Sequence, residues 1–317
     1  MEKTIDFLKY RYIGIGVSWV FIIVLGVGTF MKGGFNYGID FVGGHKIIAK
    51  FQDSQDSQDV SVKNEVKNEG INEGVIRRAL SDFDATVQQI GDESKRTYII
   101  ITKLEEAKPD TGQNTDTLAI SKIELLKKTL DEKFAGVSIE SEETVGPSIG
   151  DYLRKSAWKL SLMAVVMMSI YLAFRFEVKF AVGGMISLIH DMVMSIVFCG
   201  FMGIEIDIQV LAALLTLYGY SINDTIVIFD RIRETNQLES KITFTEVINK
   251  AITQTMSRTI LTGLTTIFVV FSLFFFGGET LHDFSLILIV GIIIGTYSSI
   301  FIASPFVYGW EKLLAKK

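Results

Sequence analysis

The stretch LAALLTLYGYSINDTIVIFDRIRE, residues 211–234, is apolar enough to lie in lipid. Yet it carries Asn223 and Asp224 in its interior and Asp230, Arg231 and Arg233 at its end. A charged side chain at a bilayer centre costs roughly 2.5–3.5 kcal/mol on insertion scales. Asp224 precedes Asp230 by about 9 Å of helix, too deep for a short carboxylate to reach bulk water. It must face the protein interior, a partner or a wet cavity. Burial and a nearby cation pull the ionisation of such a group in opposite directions. A rearrangement that moves the cation then drives proton exchange. Two cations are candidates. Arg231 follows on the same helical face, two turns on. Arg258 opens a later apolar run from the same side and can snorkel or bend inward. Ser221 and Asn223, within a turn of Asp224, can hydrogen-bond to it or hold water. The competing reading is a static ion pair that holds helices together.

His190 and Asp191 form a second polar point, in SLIHDMVMS near the middle of another apolar run. Neighbouring helical residues diverge by about 100°, so the two are not expected to point the same way. They read either as polar packing across helices or as a relay. Other chemistries find little support. The net charge of −5 argues against nucleic-acid binding, which needs a basic face. The single cysteine, Cys199, cannot form an intrachain disulfide, and His45, His190 and His282 lack zinc-ligand spacing. There is no Walker loop and no H-E-x-x-H. No metal, cofactor or catalytic chemistry of the chain's own is expected.

The elements that must position these residues are legible from hydropathy. Six runs, near 12–31, 157–174, 180–201, 208–230, 259–277 and 284–307, approach the roughly 20 apolar residues that a membrane helix needs. The first reads as an uncleaved anchor, because its apolar stretch is too long for a signal peptide. Lys and Arg concentrate in the loops that share a side with the N-terminus, while the short loops near 202–207 and 278–283 have none. Both termini are therefore expected in the cytoplasm. Lys32, Arg154, Lys155 and Lys159 run against that rule. The expected layout is a cytoplasmic N-terminus and first span over 1–35, and an outward-facing α+β domain over 36–150. Spans two to six occupy 151–307, with a cytoplasmic amphipathic segment near 232–257, and 308–317 is a cytoplasmic tail.

Within the polar block, 45–51, 85–91, 97–103 and 137–145 read as strands, and 60–82 and 118–134 as helices. Leu118, Ile123, Leu126 and Leu130 lie near helical spacing on the second helix. The order β-α-β-β-α-β predicts a ferredoxin-like fold. QDSQDSQD at 52–59 is expected to be a floppy loop. In the last run Gly291, Gly295, Ser299 and Ala303 recur every fourth residue, a spacing that lets two helices approach closely. The fold expected overall is a polytopic α-helical membrane protein, a six-span bundle carrying one ferredoxin-like domain.

Five segments in order carry a family resemblance. NYGIDFVGG (36–44), ETVGPSIGD (143–151), LIHD (188–191), GYSINDTIVIFDRIRE (219–234) and TQTMSRTILTG (253–263) together resemble the SecF family of bacterial protein-export membrane proteins. The resemblance implies a fold like half of an RND-type transporter, in the inner membrane, with its large domain in the periplasm. It implies pairing with the related six-span SecD and association with the SecYEG channel. YajC and, indirectly, SecA belong to the same implied assembly, with a translocating preprotein as the cargo. The implied activity is use of the proton gradient in late steps of export. On this resemblance Asp224 and Arg258 take part in proton passage, and Asp40, Gly43 and Gly44 match an outer-face D-F-x-G-G motif. For the two glycines a turn before the first strand is the simpler account. An RND-like exporter of lipids or small molecules is the main alternative. An intramembrane aspartyl protease and a passive scaffold are further rivals.

Overall fold

The computed structural model describes residues 4–51, 71–83, 85–90, 96–102, 115–134, 136–239 and 241–314. In chain order, α1 (Arg11–Met31) and the single-turn α2 (Ile39–Val42) precede β1 (Gly44–Phe51), α3 (Glu73–Ala79), β2 (Ala85–Ile90), β3 (Thr97–Thr102), α4 (Thr115–Lys133) and β4 (Val137–Val145). Then follow α5 (Pro147–Arg175), α6 (Val178–Met202), α7 (Ile208–Leu238), α8 (Phe244–Phe276), α9 (Gly278–Ser298) and α10 (Ser304–Leu314). These elements form two units, Met1–Asn36 with Ala157–Lys317, and Tyr37–Ser156.

The first unit is all helical. Six helices are long and apolar enough to cross a membrane: Leu8–Met31, Ser148–Arg175, Val178–Met202, Ile208–Leu238, Phe244–Phe276 and Leu281–Leu314. Local chemistry sets their ends. Asp207 caps α7 by accepting from the Val210 N–H at 2.7 Å, and Thr243 and Glu246 form a reciprocal capping box at α8. α6 stops at Gly203, whose φ of 75° is readily adopted only by glycine. The last span is interrupted by a π-helical turn, Ser299–Ala303, just before Pro305. Proline has no N–H to donate inside a helix, and the wider turn accommodates that gap.

Packing follows the small residues. Gly291 abuts Leu217, and a Cβ on Gly295 would sit 3.0 Å from the Ser221 Cβ. Ser299 Oγ and Thr225 Oγ1 are hydrogen-bonded at 2.8 Å. Thus 291, 295 and 299 meet 217, 221 and 225 as the last span and α7 run parallel, so the stripe serves packing inside the bundle. Two apolar clusters lie along the unit. One gathers Leu8, Phe180, Phe229 and Ile248, and the other gathers Val210, Leu214, Ile287 and Ile292. The amphipathic stretch that follows α7 is no separate element. It opens α8, with Val247, Ile248, Ala251 and Ile252 packed into the first of these clusters.

The second unit contains an antiparallel sheet in the order β2-β3-β1-β4, the ferredoxin-like arrangement expected from the element order. Ile47, Ala49 and Phe51 alternate onto one face of β1, shared with Tyr98 and Ile100 of β3 and Val87 of β2. They pack with Ile76 and Leu80 of the α3 region and Leu126 and Leu130 of α4. The helix expected over 60–82 is described only as Glu73–Ala79. QDSQDSQD and the Leu118 side chain lie outside the described residues.

Candidate functional site

Asp224 sits on the buried face of α7, only 3% exposed, because Ser221, Thr225 and Ile228 share the side turned to the bundle. Its Oδ2 accepts from Thr296 Oγ1 of α9 at 3.1 Å. Neither expected cation contacts it. Arg258 forms no ion pair within 4.0 Å among the described residues. The reason is rotational. Thr255 and Thr259 are the α8 residues turned inward, and Arg258, about 100° away, is exposed. Arg231 is committed elsewhere: its Nε donates to Gln254 Oε1 at 2.8 Å and it pairs with Glu234 at 2.6 Å. Asn223 is exposed, on the side of α7 away from the carboxylate.

Ser221 is also redirected. It donates not to Asp224 but to Asp191 Oδ2. The same oxygen accepts from Ser298 Oγ at 2.7 Å, which in turn is 2.9 Å from Ser187 Oγ. Asp191 Oδ1 lies 2.9 Å from His190 Nδ1, and His190 Nε2 lies 3.0 Å from Ser18 Oγ of α1. His190 and Asp191 therefore meet, against the expectation that adjacent helical residues diverge. Both side chains are long enough to close the angle between their Cβ directions. Four helices contribute to this polar network: α1, α6, α7 and α9. Ser18, Ser187, Thr296 and Ser298 were not singled out from the sequence. Their only signal there is a hydroxyl within an apolar run, a feature that every span repeats.

Asp40, Gly43 and Gly44 belong to the second unit. Asp40 lies in the single turn of α2, half-buried. Gly43 has φ 77°, and a Cβ added to Gly150 would stand 2.8 Å from the Gly43 nitrogen. A Cβ on Gly44 would stand 2.9 Å from the Thr102 carbonyl oxygen. The glycines thus make the turn and the close approach that start β1. No group of three or more metal-ligating side chains occurs among the described residues.

Comparison with known proteins joins these observations. The family described as "Protein export membrane protein SecD/SecF, C-terminal" matches residues 125–313. The chain is 39% identical over 309 residues to the "Protein translocase subunit SecF" of Endomicrobium trichonymphae, covering 97% of this chain and 91% of that protein. It is 35% identical to the protein of the same name from Vibrio alginolyticus, covering 96% and 89%. The "Protein translocase subunit SecDF" of Thermus thermophilus is 32% identical over 96% of this chain, but only 39% of its own length is matched. A crystal structure of SecDF, described as a translocon-associated membrane protein from Thermus, superposes with a TM-score of 0.79 at 30% identity. It covers 98% of this chain and 39% of that one. The chain is a multi-pass membrane protein and belongs to the SecD/SecF family of protein-export membrane proteins.

Proposed function

We propose that this chain is a SecF-type accessory subunit of the Sec preprotein translocase, and that with a SecD-type partner it couples the proton gradient to late steps of export. The match to 39% of the Thermus SecDF chain supports pairing with a second half in the SecD role. SecYEG, with YajC and indirectly SecA, are the further partners in this reading. The Lys and Arg distribution supports cytoplasmic termini and a periplasmic α+β unit.

The observation that carries the mechanism is the state of Asp224. It is a buried mid-span carboxylate held by one hydroxyl, with Arg258 on the neighbouring helix α8 and out of ion-pair contact. Ionised Asp224 attracts Arg258 across the α7–α8 boundary, and protonated Asp224 keeps only the Thr296 hydrogen bond. Each proton moving down 100 mV releases about 2.3 kcal/mol, enough to alternate two packings of these helices. The α+β unit, joined in sequence to the first and second spans, follows that alternation. By holding an emerging chain in one pose and releasing it in the other, it opposes backsliding. The chain itself performs no covalent chemistry in this scheme.

The test is Asp224→Asn in membrane vesicles with an imposed proton gradient. Gradient-dependent export is expected to be lost while copurification with the SecD-type partner is retained. Normal export by this variant overturns the reading.

A further inference from the structure

The proton scheme uses one carboxylate and leaves a second without a role. Asp191 is 6% exposed, and its one ionisable partner among the described residues is His190. We infer that His190 and Asp191 form a second proton-holding pair, one that signals its state to the last span through Ser298. The inference rests on the proton-driven reading above.

Ionised Asp191 is an acceptor only, and it has three donors: Ser221 and Ser298 on Oδ2, and His190 Nδ1–H on Oδ1. His190 Nε2 then accepts from the Ser18 hydroxyl. A proton arriving on Oδ2 turns that oxygen into a donor, and a serine hydroxyl that pointed at it must turn elsewhere. Ser298 has a second acceptor in place, the Gly295 carbonyl at 3.0 Å. It can give up Asp191 without being left unpaired in the core, where an orphaned donor is costly. Gly295 lies against Ser221, so the exchange acts at a close contact between α7 and α9.

A void of ≈ 10 Å³ adjoins the pair. It is lined by Asp191, Ser195, Tyr218 and Ser221 among apolar side chains that include Leu188 and Leu214, and it has room for about one water. A hydronium there delivers its proton to Oδ2 and remains as water, so the step balances. The groups facing the pair are few. α1 contributes Ser18. α7 contributes Ser221, with Tyr218 in the cavity wall and Asp224 a turn on, bound to Thr296. α9 contributes Ser298, while Tyr297 turns to the Gly14 carbonyl of α1.

The test is infrared difference spectroscopy on acidification of the full chain, reconstituted with its SecD-type partner and followed at the protonated-carboxyl stretch. Asp191→Asn keeps the shape and an acceptor oxygen, and it is expected to remove one component of the band that Asp224→Asn leaves. His190→Gln and Ser298→Ala are expected to shift that component. A spectrum unchanged by Asp191→Asn overturns the inference. If Asp191→Asn does not assemble, an unshifted band in both other variants overturns it equally. Normal export by Asp224→Asn beside an Asp191-dependent band would overturn the proposed function and leave this pair standing. Lost export with no such band would do the reverse.

Discussion

Thr296 Oγ1 donates to Asp224 Oδ2 at 3.1 Å, so the residue that holds the buried carboxylate of the fourth span comes from the sixth. Thr296→Val keeps the volume and deletes the donor. A hydrogen bond to a charged group contributes about 1.5–3 kcal/mol, so gradient-driven export is expected to fall by about tenfold or more. If the hydroxyl is what acts, Thr296→Ser, which keeps the donor, is expected to retain export that Thr296→Val loses. Export rates of the two variants check this.

The α7–α9 contact has no spare room at Gly295. A valine there would place its Cβ 3.0 Å from the Ser221 Cβ and 3.2 Å from its Cα, distances that require the helices to part. Overpacking of this kind costs about 1–3 kcal/mol. Gly295→Val should lower the thermal unfolding midpoint in detergent. Gly16, with nothing within 4 Å of its Cβ position, should tolerate alanine at little cost.

At the other end of the bundle, Asn249 fastens the N-terminal segment to α8. Its Oδ1 accepts from the Leu8 N–H at 3.1 Å, and its Nδ2 donates to Asp6 Oδ1 at 2.8 Å. Leu8 itself is 1% exposed. Asn249→Ala leaves a buried N–H unsatisfied, at about 1–3 kcal/mol. Hydrogen exchange at the Leu8 amide should accelerate accordingly, and an unchanged rate would show that the contact does not hold the segment.

In the α+β unit, burial pushes the His45 pKa below its ordinary 6.5, against the opposing pull of Glu142. Nδ1 lies 2.6 Å from Thr144 Oγ1, and Nε2 lies 3.7 Å from Glu142 Oε1. A histidine with a depressed folded pKa binds fewer protons folded than unfolded, so its stabilising contribution is present above about 6.5 and is lost as pH falls through the folded value. Exchange protection across β1 and β4 should therefore weaken on acidification below that point. His45→Asn should flatten the dependence.

Much of this architecture was legible in the chain alone. The six spans needed only local hydropathy, since a helix in lipid must be apolar along its length whatever its neighbours. The ferredoxin-like sheet followed from the order of elements, β-α-β-β-α-β. The inward placement of Asp224 followed from the cost of the alternative. The partners were not legible. Arg231 has the right spacing for Asp224 and bonds Gln254 instead. Ser221 lies three residues from Asp224 and bonds Asp191. A rotation of about 60° between positions three apart on a helix is enough to present them to different neighbours.

The sequence by itself determined that carboxylates would be buried at mid-membrane on α6 and α7, because helix length and polarity are properties of each segment. Only the tertiary structure decided which hydroxyls meet them, and that Arg258 stands off. Thr296 and Ser298 are brought to Asp224 and Asp191 by tertiary packing that includes the close α9–α7 approach at Gly291 and Gly295, while Ser18 of α1 reaches His190 across 172 positions of sequence.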